Sequence, residues 1–222
     1  YFAVQGGGLS VEKISQGFGK TWTIVEPGVS IKPYPCGVLT HPTIDLMLKL
    51  VSDHNVKPDD IETVKVYAGS NILNPIRYPI AANHLQAKFS LPAALAMIAL
   101  ARKAGKTEFS DAFVAAAPMQ AMQRRITTEL DPTIEKMGFD KMRSRIAIKL
   151  TDGKQVEGWA DERYRGGPDN PLSDAELEGK VRSCCEGVMN EDGQAKLIEA
   201  GWAASKLADA GALMRLLNNV GA

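Results

Sequence analysis

Lys32, Tyr34, Cys36 and His41 fall within one short run, SIKPYPCGVLTH, and two prolines brace them. An ammonium, a phenol, a thiol and an imidazole held this close could bind an anion and move a proton. Proline fixes φ near −65° and biases the residue before it towards extended backbone. The pattern therefore predicts an extended Lys32 to Pro35, with Lys32 and Tyr34 on the same side. Thr40 reads as the N-cap of a helix from about His41 to Asp53, with Pro42 in its first turn. Unpaired N–H groups at a helix start attract anions. A cation, a phenol and a helix start together make a carboxylate site, and Tyr34 there could relay a proton. Each residue also has a plainer role: Lys32 as a solvated guard against strand pairing, Tyr34 at the core edge, Cys36 as a small buried apolar group, His41 as a partner for local backbone.

Further candidates lie downstream. Lys88 and Ser90, in AKFS, sit at the mouth of an apolar helix, where Ser90 could equally be a simple N-cap. Arg165, followed by Gly166 and Gly167, could let backbone approach a ligand or form a hinge. His84 falls in a long loop. Cys184 and Cys185 have the wrong spacing for zinc, and the three histidines are scattered, so no metal set is expected. Gly6 to Gly8 has no strand-and-acid context and reads as a linker.

The elements that must position these groups follow from periodicity. Leu9 to Lys20 has helical spacing. Thr21 to Pro35 reads extended, with Trp22, Ile24, Val25, Val29 and Ile31 broken by Pro27 and Gly28. Ile61 to Ala68 alternates as a half-buried strand. Phe89 to Ala104 is the most apolar helix, Ser110 caps another, and Met119 to Thr127 gives a third. Arg143 to Ala160 is a hairpin turning at Asp152 and Gly153. Ser173 and Glu176 form a capping box that opens a helix running towards Val188. Two more helices are expected near Glu191 to Ala200 and Ala203 to Leu217. Strands interleaved with helices up to residue 160, then helices alone, give an α+β class with a small sheet backed by helices. The tail carries Leu197, Ile198, Trp202, Leu207, Leu213 and Leu216 on broad apolar faces. These need another helical layer, which predicts a partner surface.

Bulk composition excludes several classes. Among 222 residues, 26 basic and 26 acidic side chains balance. With no Lys/Arg run, nucleic acid is not an expected partner. No apolar run reaches the ~18 residues of a membrane span. Three cysteines and no visible secretory signal fit a reducing, cytoplasmic setting. The chain opens on Tyr1 rather than Met, which fits a processed, trimmed or partial chain.

IKPYPC followed by Thr40 and His41, AKFSLP at Ala87 to Pro92, and GPDNPL at Gly167 to Leu172 together resemble the MmgE/PrpD family, in its C-terminal part. That family includes 2-methylcitrate dehydratase, cis-aconitate decarboxylase and iminodisuccinate epimerase. The resemblance implies a cofactor-independent lyase or isomerase that abstracts a proton α to a carboxylate of a small di- or tricarboxylate. It implies a large all-helical domain and a smaller α+β lid, with the active site between them, in a homodimer. Residues 1–20 would then end the helical domain or link to it, 21–162 would be the lid, and 163–222 would return to the helical domain. The N-terminal helical half would be a partner. Lys32, Tyr34 and His41 would be catalytic, and Lys88, Ser90 and Arg165 would meet substrate. Decarboxylase relatives carry a histidine where this chain has Gly37, so the resemblance implies a dehydratase or an epimerase. A non-catalytic carboxylate-binding or assembly subunit is the alternative.

Overall fold

A computed structural model describes residues 8, 10–20 and 22–218. The glycine run before Gly8, together with Leu9 and Thr21, lies outside the described residues. The fold is α+β. Its centre is a four-stranded mixed sheet in the order β2-β1-β3-β4, where β1 is Ile61–Ala68, β2 Ile126–Leu130, β3 Ser144–Leu150 and β4 Gln155–Trp159. β1 runs parallel to β2 and antiparallel to β3, and β3 and β4 form the hairpin.

Two helices cover one face of the sheet. Helix α1 spans His41–Asp53 and buries Ile44, Met47, Leu50 and Val51. Helix α2 spans Leu91–Ala101 and is buried at every position from Leu91 to Ala99. A helix that is apolar all round must be enclosed on all sides. Here α2 lies among α1, β2 and a third helix, α3, at Ala117–Gln123. Val64, Val66 and Ala68 of β1, Ile146 and Ile148 of β3 and Val156 of β4 share one buried core cluster with residues of these helices. Ile61 is buried too, against the simple alternation, because the register shifts between Ile61 and Thr63. The bulge turns Ile61 inward. The opposite face is polar. Lys149 pairs with Glu62 at 2.7 Å, Arg145 with Glu157 at 3.4 Å, and Arg145 lies 4.1 Å over the Tyr67 ring.

Three expectations need correction. Helix after residue 9 is limited to Val11–Ser15, and turns follow. The stretch from Trp22 to Pro35 forms turns and bends rather than a strand. Trp22, Ile24, Val25 and Val29 are all well exposed there, so no core face selects a strand register. The helix expected to reach Thr127 stops at Gln123, and Ile126–Leu130 is instead the edge strand β2.

The tail is helical, as expected: α4 at Asp174–Cys185, α5 at Glu191–Trp202 and α6 at Gly211–Asn218. Ser173 and Glu176 form the capping box that starts α4. No residue of α4 or α5 is buried. Leu177, Val181, Leu197, Ile198, Trp202 and Leu213 instead line an open apolar cavity of about 390 Å³ between the tail helices.

Candidate active site

The proline-braced run bends from Pro33 to Cys36, so its side chains diverge instead of alternating along an extended chain. Tyr34 and Cys36 turn into the core, and Lys32 remains exposed. The Lys32 ammonium folds back to donate to the Cys36 carbonyl at 3.2 Å, closing the bend. Thr40 does not cap α1 with its side chain. A 3₁₀ turn at Val38–Thr40 leads directly into α1, and the Thr40 hydroxyl donates to the Gly37 carbonyl at 2.8 Å. The same hydroxyl lies 3.2 Å from the Cys36 sulfur.

Lys88 is brought to this bend by backbone. The Gly37 N–H donates to the Lys88 carbonyl at 2.9 Å. Burial pushes the Cys36 thiol up to about 11, while Thr40 and the two cations Lys32 and Lys88 act in the other direction. Ser90 is fully buried, and its hydroxyl accepts from the Ala93 N–H at 3.1 Å as the N-cap of α2. The first turn of α2 thus already has a side-chain partner, and Ser90 presents no exposed surface.

His41 is fully buried, 5.4 Å from the Tyr34 ring in an edge-to-face arrangement. Neither ring nitrogen makes a hydrogen bond of acceptable geometry. Burial pushes the imidazole down to about 4. The Cys36 carbonyl offsets this in part, and the cations Lys32, Arg165 and Lys180 add to it. At neutral pH His41 is an uncharged imidazole.

Tyr34 anchors a polar cluster. Its phenol donates to Asp45 Oδ1 at 2.5 Å and accepts from Arg165 Nη2 at 2.9 Å. Arg165 Nε and Nη2 also reach Asp45 Oδ1, at 3.1 and 3.0 Å, and Nη1 reaches Glu176 Oε1 at 2.9 Å. Burial, then the Asp45 carboxylate, hold the phenol well above its ordinary range, with Arg165 opposing. Burial disfavours the Arg165 charge, but Asp45 and Tyr34 outweigh it and hold the guanidinium charged.

Gly166 explains why the loop after Arg165 is glycine-rich. Its φ is +84°, and a Cβ there would lie 2.0 Å from the Ile31 carbonyl oxygen. The Ile31 N–H donates to the Gly166 carbonyl at 2.8 Å, and Ser30 and Tyr164 hydrogen-bond at 2.7 Å. The close backbone approach is to the chain's own Ile31. The three segments IKPYPC, AKFSLP and RGGPDNP thus meet as one unit. A family model of the MmgE/PrpD C-terminal domain matches residues 34–204.

The chain belongs to the MmgE/PrpD family. No curated protein matches it closely enough for comparison. In this MmgE/PrpD chain, the structure brings Lys32, Tyr34, His41, Lys88 and Arg165 around one bend, with Ser90 beneath it as a helix cap. Asp45 was not singled out by sequence reasoning, and Glu176 was read only as half of a capping box. Asp45 lies 120 positions from Arg165, and nothing local marks such a partner. Two open cavities border the cluster. One, of about 500 Å³, includes Tyr34, Arg102, Lys106 and Arg165 in its lining; the other, of about 480 Å³, includes Asp45, Lys49 and Arg165. Among the described residues no group of three His, Cys, Asp or Glu side chains is placed to hold a metal ion, and no helix is long and apolar enough to cross a membrane.

Proposed function

We propose that the chain is the lid part of a cofactor-independent lyase or isomerase acting on small di- or tricarboxylates, with dehydration as the leading reaction. The observation that carries this reading is the backbone bond from Gly37 to Lys88, which ties the Lys88 segment to the bend that Lys32 closes, in a chain of the MmgE/PrpD family. Abstracting a proton α to a carboxylate builds an enolate-like dianion. Fixed cations and N–H donors in a water-poor cleft stabilise that charge. Lys32 would release the Cys36 carbonyl and turn to the substrate, with Lys88 as the second cation. The base would come from an N-terminal helical half, against which the apolar faces of α4 to α6 would pack. Closure over the substrate would exclude water. Loss of a β-hydroxyl from the enolate gives a dehydratase; reprotonation on the opposite face gives an epimerase.

Dehydration or epimerisation is favoured over decarboxylation because this chain has Gly37 where decarboxylase relatives carry a histidine. A Cβ at this position would stand 3.0 Å from Ile76 Cδ1 and 3.4 Å from the Lys88 carbonyl oxygen. Any side chain here would need Ile76 Cδ1 to give by a few tenths of an ångström. His41, buried and uncharged, supports the bend from below as a neutral group. Arg165 commits four of its five N–H donors to Tyr34, Asp45 and Glu176, which leaves one on Nη1 for a substrate.

The test is deuterium incorporation in D₂O. Protein containing both halves is incubated with a panel of citrate-like and succinate-like acids, and exchange α to a carboxylate is followed by NMR. Exchange on at least one acid is expected. Calorimetric binding without exchange on any acid would overturn the enzyme reading in favour of a carboxylate-binding subunit.

A further inference from the structure

We propose that Arg165 is a positioning residue that couples the helical tail to the bend carrying Lys32. Its three guanidinium nitrogens are divided between parts of the chain that are remote in sequence. Nη2 holds Tyr34, which belongs to the bend, and Nε and Nη2 hold Asp45 on α1. Nη1 holds Glu176, in the first turn of α4. A planar guanidinium can serve three such acceptors at fixed angles, and an ammonium cannot.

Glu176 has two tasks at once. Its Oε2 accepts from the Ser173 N–H at 2.9 Å and the Ser173 hydroxyl at 2.8 Å, completing the capping box of α4. Its Oε1 takes Arg165. The orientation of the first turn of α4 is therefore passed directly to Arg165, and through it to Tyr34. Backbone reinforces the link at the adjacent residue, where Gly166 accepts from Ile31, next to Lys32. The tail has no buried residue in α4 or α5 to fix it otherwise. When the apolar faces of the tail are covered, α4 is fixed, and the Arg165 link sets the bend. The use made of Lys32 rests on the function proposed above; the coupling itself does not.

Cys36 gives a readout that needs no turnover. It is buried inside the bend, whereas Cys184 is exposed and Cys185 is partly so. In a Cys184→Ser, Cys185→Ser background, alkylation of Cys36 in the native protein reports opening of the bend. Glu176→Gln keeps a side chain able to complete a capping box but removes the charge that Arg165 holds. Losing one hydrogen bond to a charged group shifts an opening equilibrium by about tenfold or more. Glu176→Gln and Arg165→Lys are each expected to raise the Cys36 alkylation rate about tenfold, with far-ultraviolet circular dichroism unchanged. Arg165→Lys keeps the charge, so failure of lysine to rescue is the mark of the guanidinium geometry. Alkylation within twofold of the parent in both folded variants would overturn the coupling. So would full rescue by lysine. Should deuterium exchange on carboxylates fail while these rates rise, the functional reading falls and the coupling stands.

Discussion

Replacing His41 by leucine tests whether a fully buried, unpartnered imidazole underlies the bend. In the folded protein the ring titrates at about 4, against an ordinary value of 6.5. Between these values the unfolded chain binds a proton that the folded chain refuses. A depressed histidine therefore contributes stability above its unfolded value and loses it as the pH falls towards its folded value. The gap, at ~1.4 kcal/mol per pH unit, amounts to about 3 kcal/mol in full. Roughly 1 kcal/mol of that is lost by pH 5.5 and most of it by pH 4.5. The assay is urea unfolding of wild type and His41→Leu at several pH values from 4.5 to 7.5. Carboxylates, His54 and His84 are common to both proteins and cancel in the difference. The variant should gain on wild type by about 2–3 kcal/mol between pH 7.5 and 4.5, whatever its offset at neutral pH. Parallel stability curves would refute the reasoning, because they would require the buried ring to be solvated or partnered in the folded state.

Other consequences can be checked separately. Gly166→Ala places a Cβ against the Ile31 carbonyl oxygen at a φ of +84°, so thermal and urea denaturation should show a loss of about 3 kcal/mol or more. Ser173→Ala removes the cap of α4, whose hydroxyl accepts from Glu176 N at 3.3 Å; a loss of about 1 kcal/mol is expected, with faster amide exchange in the first turn of the helix. Ile98→Ala, at a fully buried position of α2, should cost about 2–5 kcal/mol by urea unfolding. With a limiting thiol reagent at pH 7, peptide mapping should find label on Cys184 and none on Cys36, whose thiol titrates at about 11.

Much of the frame was legible because its signals are local. Ile61–Ala68 and the hairpin of β3 and β4 declare themselves by alternation and by the turn at Gly153. Helix α1 matches its expected span from the spacing of Ile44, Met47 and Val51. β2 was not legible, since ITTEL buries only Ile126 and leaves the rest of the edge exposed. The apolar residues from Trp22 to Ile31 misled in the other direction, because they read as a strand and meet no core. The bend was half legible: two prolines stiffen it, but its direction is set by Lys32 reaching Cys36 and by Tyr34 reaching Asp45. The resemblance put Tyr34 and Arg165 in one site, but their bond and the part of Asp45 could not be read, for Tyr34 and Asp45 stand 131 and 120 positions from Arg165.

The most direct measurement is kcat/KM of Lys32→Ala, in protein containing both halves, on the acid that shows deuterium exchange. Removing one donor that stabilises developing negative charge costs ~10²-fold or more, so a fall of at least that size is predicted, carried chiefly by kcat. Turnover within about threefold of wild type would fall far short of that cost and would contradict the account.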